Sequence, residues 1–568
     1  MSQGLPGDQR RTLEALTREA RLGAPLLSTL SRAFEGGDWV DPGSLGPLYE
    51  AHLATEKAQQ RGQGSFYTPE YLVDFVVEQT LHELVVGRTP AQIKALRILD
   101  PSCGGGAFLL GVLRYLEAHC LLGGARAGAS LRRKLSACLV GVDLDEGALE
   151  VSRASLHLAV GQDCGATLIV GDALLPETTL PRIDAIVGNP PWGQKGLTLS
   201  ANVRARYKQL YKTACGVWDP FKFFVERAHQ ILPVGAPWGY VLPDIVLLKN
   251  LQEVRDLILE GSAITEIAHC GQAFKGANID AVAVCGKRVA QPVGAKHELR
   301  VWPKLEASWK REMPVTHTQH QGVFRELPGH TFNLYLHGLP LAMYRRLQSL
   351  PRLGESFEMH EGVHTGNARA RLFMEEKPDG PARKVIVGGS EMAPYALAWK
   401  GRWLNLDPDA VDRSAGFYAN LGRSAWHGRN KIVVRRTGDK VMAAFDSKGY
   451  YVSNNLFVLL DASTGESKAV LQRRQALVAV LNSRFMTWYF RATVPRRGRL
   501  FAELKLVHLR DFPLPTPERF RAVEARLAEL ARKASRSGTA QVADEVNALV
   551  ESAYEISPNE REVIRLSE

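Results

Sequence analysis

The sequence contains no run of about eighteen or more apolar residues, and its opening stretch, MSQGLPGDQRRTLEAL, lacks the apolar core of a signal peptide. A membrane-spanning helix and a secretory leader are therefore not expected, and the protein is expected in the cytoplasm. Cysteine is scarce: the seven residues are odd in number and nowhere spaced C-x-x-C or joined by a regular His pair. That pattern supports neither a disulfide frame nor a zinc site, so the thiols are expected to be reduced and mostly buried, and no metal is expected. Internal repeats and long low-complexity tracts are missing too. Acid is in deficit, with 60 Asp and Glu against 71 Lys and Arg for a net charge of +11, which suits a polyanionic partner. At 568 residues the chain exceeds one ordinary core, and two or three domains are expected.

What is present changes along the chain. Residues 1–60 read as a helical lead-in, with leucines at helical spacing in QRRTLEALTREARLGAPLLSTLSRAF and a Pro-Gly break at Pro42-Gly43. From Tyr67 to Arg288 apolar β-runs alternate with helices: RILDPS, CLVGVDLD, ATLIVGDA, IDAIVGNPP, GYVLPDIVLL, ITEIAHC and DAVAVCGKR. Such alternation predicts an α/β fold with a doubly wound, mostly parallel, Rossmann-like sheet, and ligands bind such sheets at the carboxyl ends of the strands. After residue 290 the alternation is lost to irregular loops, short strands and basic clusters, and a second domain of α+β character is expected. Residues 516–568 return to helix as a C-terminal tail.

The strand ends carry the chemistry. RILDPSCGGGAFLL ends its strand on Asp100 and turns through Gly104, Gly105 and Gly106, where backbone can approach a ligand closely. CLVGVDLDEGAL ends on Asp143, placed to accept hydrogen bonds from both hydroxyls of a ribose, while Asp145 fits a helix N-cap. ATLIVGDALL ends on Asp172, where a carboxylate can accept from an exocyclic amine. The fourth strand, IDAIVG, stops on Asn189, Pro190, Pro191 and Trp192. Two prolines cannot continue a sheet, so this is a rigid extended loop whose carbonyls stay free, flanked by an amide and a flat ring: a cradle for a planar amine-bearing ring.

In content and order, GSFYTPEYLVDFVV, DPSCGGGAFLL, GVDLDEGAL, GDA, NPPW and FKGANIDAVAV resemble the S-adenosylmethionine-dependent gamma-class N6-adenine DNA methyltransferases of the TaqI type. The resemblance covers residues 45–515 and implies a methyltransferase domain over 61–290 and a DNA target-recognition domain over 291–515. It implies that Tyr67, Thr68 and Pro69 meet the methionine end of the cofactor, that Asp100, Cys103, Gly104, Gly106 and Phe108 line it, that Asp143 with Leu144 holds the ribose, and that Asp172 with Ala173 holds the adenine amine. Asn189 borders both cofactor and target. Its side-chain oxygen and the carbonyl of Pro190 would accept the two hydrogens of the target amine, turning the nitrogen lone pair toward the sulfonium methyl, with Pro191 stiffening the loop. The base must be flipped out of the duplex, and Trp192 and Phe274 would stack on its two faces. Ala173 departs from relatives that carry an aromatic there.

The second half resembles the family's specificity domain through HEGVHTGNARARLF, LVAVLNSRFMTWYFRATV and FAELKLVHLRDFPLP. Two basic clusters are candidate phosphate and base contacts: Arg423, Arg429, Lys431, Arg435, Arg436 and Lys440, then Arg491, Arg496, Arg497 and Arg499. The partners implied are double-stranded DNA and, since the lead-in before Tyr67 is too short for a nuclease domain, a separate restriction endonuclease or other defence-system subunits. Competing readings are a protein-glutamine or RNA amino-methyltransferase and a catalytically idle DNA-binding subunit of a defence complex.

Overall fold

The computed structural model describes residues 43, 45, 68–161, 164–193, 200–247, 251–274, 280–310, 312–411, 414, 416–428, 430–461, 467–494 and 503–566. The helical lead-in, apart from Gly43 and Leu45, lies outside the described residues, as do Tyr67, Arg429, Arg496, Arg497 and Arg499. The chain divides into two compact units, 1–334 and 335–568.

The first unit is built on one nine-stranded sheet in the order β3-β2-β1-β4-β5-β7-β6-β8-β9. Its strands are β1 Ile98–Asp100, β2 Leu139–Asp143, β3 Thr167–Val170, β4 Ala185–Gly188, β5 Pro237–Pro243, β6 Ser262–Gly271, β7 Ala281–Arg288, β8 Glu298–Trp302 and β9 His317–His320. From β3 to β5 every pairing is parallel; β7 then runs antiparallel between β5 and β6. Strands β1, β4 and β5 are buried at every position, the mark of sheet covered on both faces. Strand β3, at the edge, has Thr167 and Val170 exposed. Helices α1 Glu70–Val85, α2 Ala107–Leu122 and α3 Glu146–Val160 accompany the first strands. Gly111 lets α2 pack on α1, because a Cβ there would lie 2.4 Å from Val73 Cγ1. Asp145 caps α3 by accepting from Gly147 N at 2.9 Å, the capping role expected of it. Further on come α4 Ala201–Leu210, α5 Phe221–Ile231 and α6 Gln252–Gly261.

Two features differ from the sequence pattern. GYVLPDIVLL is not one strand: β5 stops at Pro243 and a 3-10 turn, Asp244–Leu247, follows. The sheet also continues past residue 290 through β8 and β9, and the compact unit runs to residue 334, because β8 is short and amphipathic and gives no strong signal of its own.

The second unit holds two four-stranded sheets. One orders Phe357–Glu361 (β10), Leu456–Asp461 (β17), Lys431–Arg435 (β14) and Ala443–Asp446 (β15); the other orders Phe373–Met374 (β11), Trp403–Asn405 (β13), Ala382–Ile386 (β12) and Tyr451–Val452 (β16). Helices follow at Lys468–Leu481, Arg484–Thr493, Pro517–Ser537, Ala543–Ala553 and Pro558–Leu566. The last two of these tie into this unit through the Arg484–Glu551 and Arg346–Glu560 ion pairs.

Candidate active site

The chain reverses its direction of travel across the sheet between β1 and β4, and the crevice at such a switch point is where doubly wound folds bind ligands. The expected residues gather at the carboxyl ends of the strands on either side of it. After β1, Asp100 is 2% exposed and accepts from Ser102 N at 3.1 Å. Burial, with the charge of Asp143 adding to it, pushes the Asp100 carboxyl up to about 8, against the opposing pull of the Ser102 N–H. The turn that follows has Gly104 and Gly106 at φ +49° and +85°, conformations glycine adopts without strain, and Ser152 Oγ donates to Gly104 O at 2.6 Å.

At the end of β2, Asp143 Oδ2 accepts from Gly104 N and Oδ1 from Asp145 N, both at 2.9 Å. One donor per oxygen leaves each with capacity for a second. Burial raises the Asp143 carboxyl above its ordinary range. After β3, Asp172 Oδ1 accepts from Leu174 N at 2.9 Å and Oδ2 from the Tyr207 hydroxyl at 2.6 Å.

After β4 the Asn189–Trp192 loop is anchored at both ends. Asn189 Nδ2 donates to Thr68 Oγ1 at 3.1 Å, and the Trp192 indole N–H donates to Asn189 Oδ1 at 2.8 Å. An indole N–H can only donate, so the atom it faces is the amide oxygen. Pro190 is buried and Pro191 exposed. Gly193 N donates to both oxygens of Asp219, at 3.1 and 3.2 Å. Gly188 is required beneath: a Cβ there would lie 2.7 Å from Asp100 Oδ1.

Several sequence assignments change in detail. Thr68, 5% exposed, orients the Asn189 amide. Cys103 and Phe108, expected to line the cofactor, are buried in the hydrophobic core. Ala173 is buried, Pro69 precedes α1, and Leu144 is 71% exposed. Trp192 and Phe274 do come together, but edge to face, with centroids 5.5 Å apart and planes at 74°; rings that sandwich a base lie parallel with about 7 Å between them. The sequence reading missed Tyr207 and Asp219. Asp219 carried a weak signal as an acid before Pro220 at a helix start; Tyr207 carried none. Near the same strand ends, Asp244, His269 and Asp280 bring ligand-type atoms within 4.8 Å of one another.

In the second unit the basic clusters divide. Lys431 is 1% exposed, pairs with Asp446 and donates to Gly428 O at 2.9 Å and Tyr450 O at 2.8 Å. It is a structural ion pair and not a phosphate contact, because a strand interior has closed over it. Arg436 pairs with Glu503 and Glu361, Arg491 with Asp439, and Arg435 is half-buried with its Nε enclosed. Arg423 and Lys440 are exposed.

Known proteins place this architecture. Residues 41–282 match the family described as N-6 DNA Methylase, and residues 384–514 match the TaqI-like C-terminal specificity domain. The Type II methyltransferase M.XhoI of Xanthomonas vasicola is 24% identical over 372 residues, covering 60% of this chain and 66% of its own. M.VspI of Vibrio sp. (strain 343) is 25% identical over 344 residues, covering 60% and 73%. The Type II restriction enzyme and methyltransferase RM.Eco57I of Escherichia coli is 22% identical over 260 residues, covering 37% and 26%. The chain thus spans less than two thirds of M.XhoI and of RM.Eco57I. Among solved structures, the Type IIL restriction-modification enzyme MmeI in complex with DNA superposes with a TM-score of 0.62 at 12% identity, covering 93% of this chain and 81% of that one. A DrdV–DNA complex gives 0.55 at 13%, covering 93% and 66%. At such identities the likeness is one of fold. With the strand-end loop, the switch-point carboxylates and both matches in view, the first unit carries an N-6 DNA methylase domain over residues 41–282 and the second half a TaqI-like C-terminal specificity domain over residues 384–514.

Proposed function

We propose that the protein is a site-specific DNA methyltransferase that transfers the methyl group of S-adenosylmethionine to N6 of an adenine flipped out of double-stranded DNA. It works in the cytoplasm within a restriction–modification or related phage-defence system. One observation carries this reading: the Asn189 amide is locked between Thr68 and Trp192 with its oxygen identified, at the end of β4, beside three strand-end aspartates.

The strand ends fit the cofactor. The Gly104–Gly106 turn admits close backbone approach, Asp143 keeps acceptor capacity for ribose hydroxyls, and Asp172, oriented by Tyr207, faces the place of an adenine amine. Bound there, S-adenosylmethionine supplies an electrophilic methyl group. The work of the chain's own residues is positioning. An exocyclic amine is a poor nucleophile because its lone pair is delocalised into the ring; Asn189 Oδ1, through its second lone pair, and Pro190 O accept its hydrogens and free that lone pair. No base is needed before transfer, since the proton can leave afterwards. A flipped adenine displaces the edge-to-face contact of Trp192 and Phe274 and stacks on the rings it parts. Stacking is worth about 1–3 kcal/mol per base, against a flipping cost of a few kcal/mol.

The test is modification-sensitive sequencing of genomic DNA from cells expressing the protein, beside an Asn189→Ala control. A mark of N6-methyladenine confined to one short motif and reduced at least about a hundredfold in the control is the expected result. A mark that persists in the control removes Asn189 from the reaction, and cofactor binding without any DNA mark redirects the reading to another acceptor.

A further inference from the structure

We propose that the outer face of α4, with the turn after it, is a phosphate-binding surface for the DNA backbone beside the flipped base. This deepens the methyltransferase reading and rests on it. Immediately after the Asn189–Trp192 loop the sequence runs from Gln194 to Trp218 with Lys195, Arg204, Arg206, Lys208 and Lys212 and no Asp or Glu. The structure fixes which way α4 faces. Tyr207 is buried and bonds Asp172, Tyr211 is buried and donates to Leu174 O, and both rings pack on Phe223. One side of α4 is thereby fastened to the cofactor end of the sheet.

The other side is exposed at Arg204, Arg206 and Lys208, with Lys212 exposed on the following turn. Arg206 pairs with Glu177. Among the described residues the side chains of Arg204, Lys208 and Lys212 have no carboxylate partner, although the Lys212 backbone N–H donates to Glu226 Oε1 at 2.9 Å; Arg204 and Lys208 share the Trp218 ring, at 5.5 and 5.9 Å from its centroid. Like charges one turn apart on a helix repel, and an aromatic face attracts cations without cancelling their charge. The platform itself is firm. Lys222, buried beneath, donates to Cys215 O at 2.7 Å and Val217 O at 2.9 Å, and Asp219 next to Trp218 accepts from Gly193 at the end of the catalytic loop. A cationic pair held at fixed spacing, on the segment that continues the catalytic loop, is complementary to a run of phosphates.

The experiment uses the full chain and a duplex carrying the methylated motif, with DNA affinity measured across a salt series for wild type, Arg204→Ala/Lys208→Ala and the charge-keeping swap Arg204→Lys/Lys208→Arg. Each phosphate contact contributes about 0.9 to the slope of log affinity against log salt, so the Ala pair should flatten the slope by about 2 and the swap should keep it. Cofactor affinity should not move, since Tyr207 and Asp172 are untouched. If the Ala pair loses cofactor binding through misfolding, Lys212→Gln replaces it, with an expected slope change of about 0.9. An unchanged slope with methylation intact overturns the surface while leaving the methyltransferase reading in place. Wild-type protein that neither binds DNA nor marks it overturns both.

Discussion

Each unit buries an aspartate at the end of a strand, and the two are treated oppositely. Asp446 in the second unit, 1% exposed, receives Lys431 Nζ together with the backbone N–H groups of Lys448 at 2.8 Å, Gly449 at 3.1 Å and Tyr450 at 2.8 Å. Its charge is neutralised inside the fold. Asp100 in the first unit, 2% exposed, has one backbone donor among the described residues, a second carboxylate for a neighbour, and no cation. A buried acid left uncompensated at a strand-end crevice waits for a ligand that brings positive charge, while a compensated one holds the fold. The cations follow the same division. Lys431 and Arg436 are consumed by carboxylates of their own unit, whereas Arg204 and Lys208 lean on a ring and remain available.

The largest effect belongs to the compensated pair. Lys431→Ala strands Asp446 as a buried charge and should cost the second unit about 3–5 kcal/mol, as is usual when one partner of a buried pair is removed. Denaturant unfolding measures it, and Lys431→Met with Asp446→Asn should recover much of the loss. If Lys431→Ala leaves stability intact and weakens DNA binding instead, the division between structural and available charge fails.

Asp100 gives a pH signature of the other kind. Its folded-state value of about 8 lies above its ordinary 3.8, so between those values the native state holds a proton that the unfolded chain has lost. Stability from this group is therefore fully present below 3.8 and is lost as pH rises toward 8, with a slope of about 1.4 kcal/mol per pH unit. Asp100→Asn should flatten that part of the profile. On the proposed function the amino and sulfonium charges of S-adenosylmethionine would favour the carboxylate, so cofactor binding near neutral pH should release a proton, and affinity should rise with pH until about 8. Calorimetry in buffers of different ionisation enthalpy reads the proton directly. Equal heats in all of them would mean Asp100 is already ionised and the contrast with Asp446 is smaller than drawn.

The same contrast explains what could be read from the sequence. β1 to β7 and the strand-end positions of Asp100, Asp143, Asp172 and Asn189 were readable because these strands are short apolar runs, unbroken where the parallel strands β1 and β4 are buried on both faces, and the ends of β1 to β4 are punctuated by Gly, Asp and Pro. Phosphate contacts were not, because clustering says where Lys and Arg sit in the chain and nothing about which acids meet them: Glu361 and Glu503 reach Arg436 from distant segments. Nor was the partner of Thr68, whose bond to Asn189 spans 121 positions. Strands β8, between β6 and β9, and β9, at the sheet edge, were missed for a local reason, lacking the unbroken apolar run.

The smallest effect falls on Tyr207, which joins the two roles. Its hydroxyl sits on Asp172 and its backbone on the helix that presents Arg204 and Lys208. Tyr207→Phe keeps the ring packed against Tyr211 and Phe223 and removes one hydrogen bond to a carboxylate, worth about 1.5–3 kcal/mol when a charged partner is involved. Part of that is regained as Asp172 takes water or the incoming amine, so cofactor affinity should fall by roughly three- to tenfold, about 0.6–1.4 kcal/mol and below that range. The DNA salt slope should not change, because the cationic face keeps its platform. Titration of cofactor and of DNA against the same variant separates the two: a fall in cofactor affinity alone assigns Tyr207 to orienting Asp172, whereas a joint fall means the hydroxyl holds α4 itself in place.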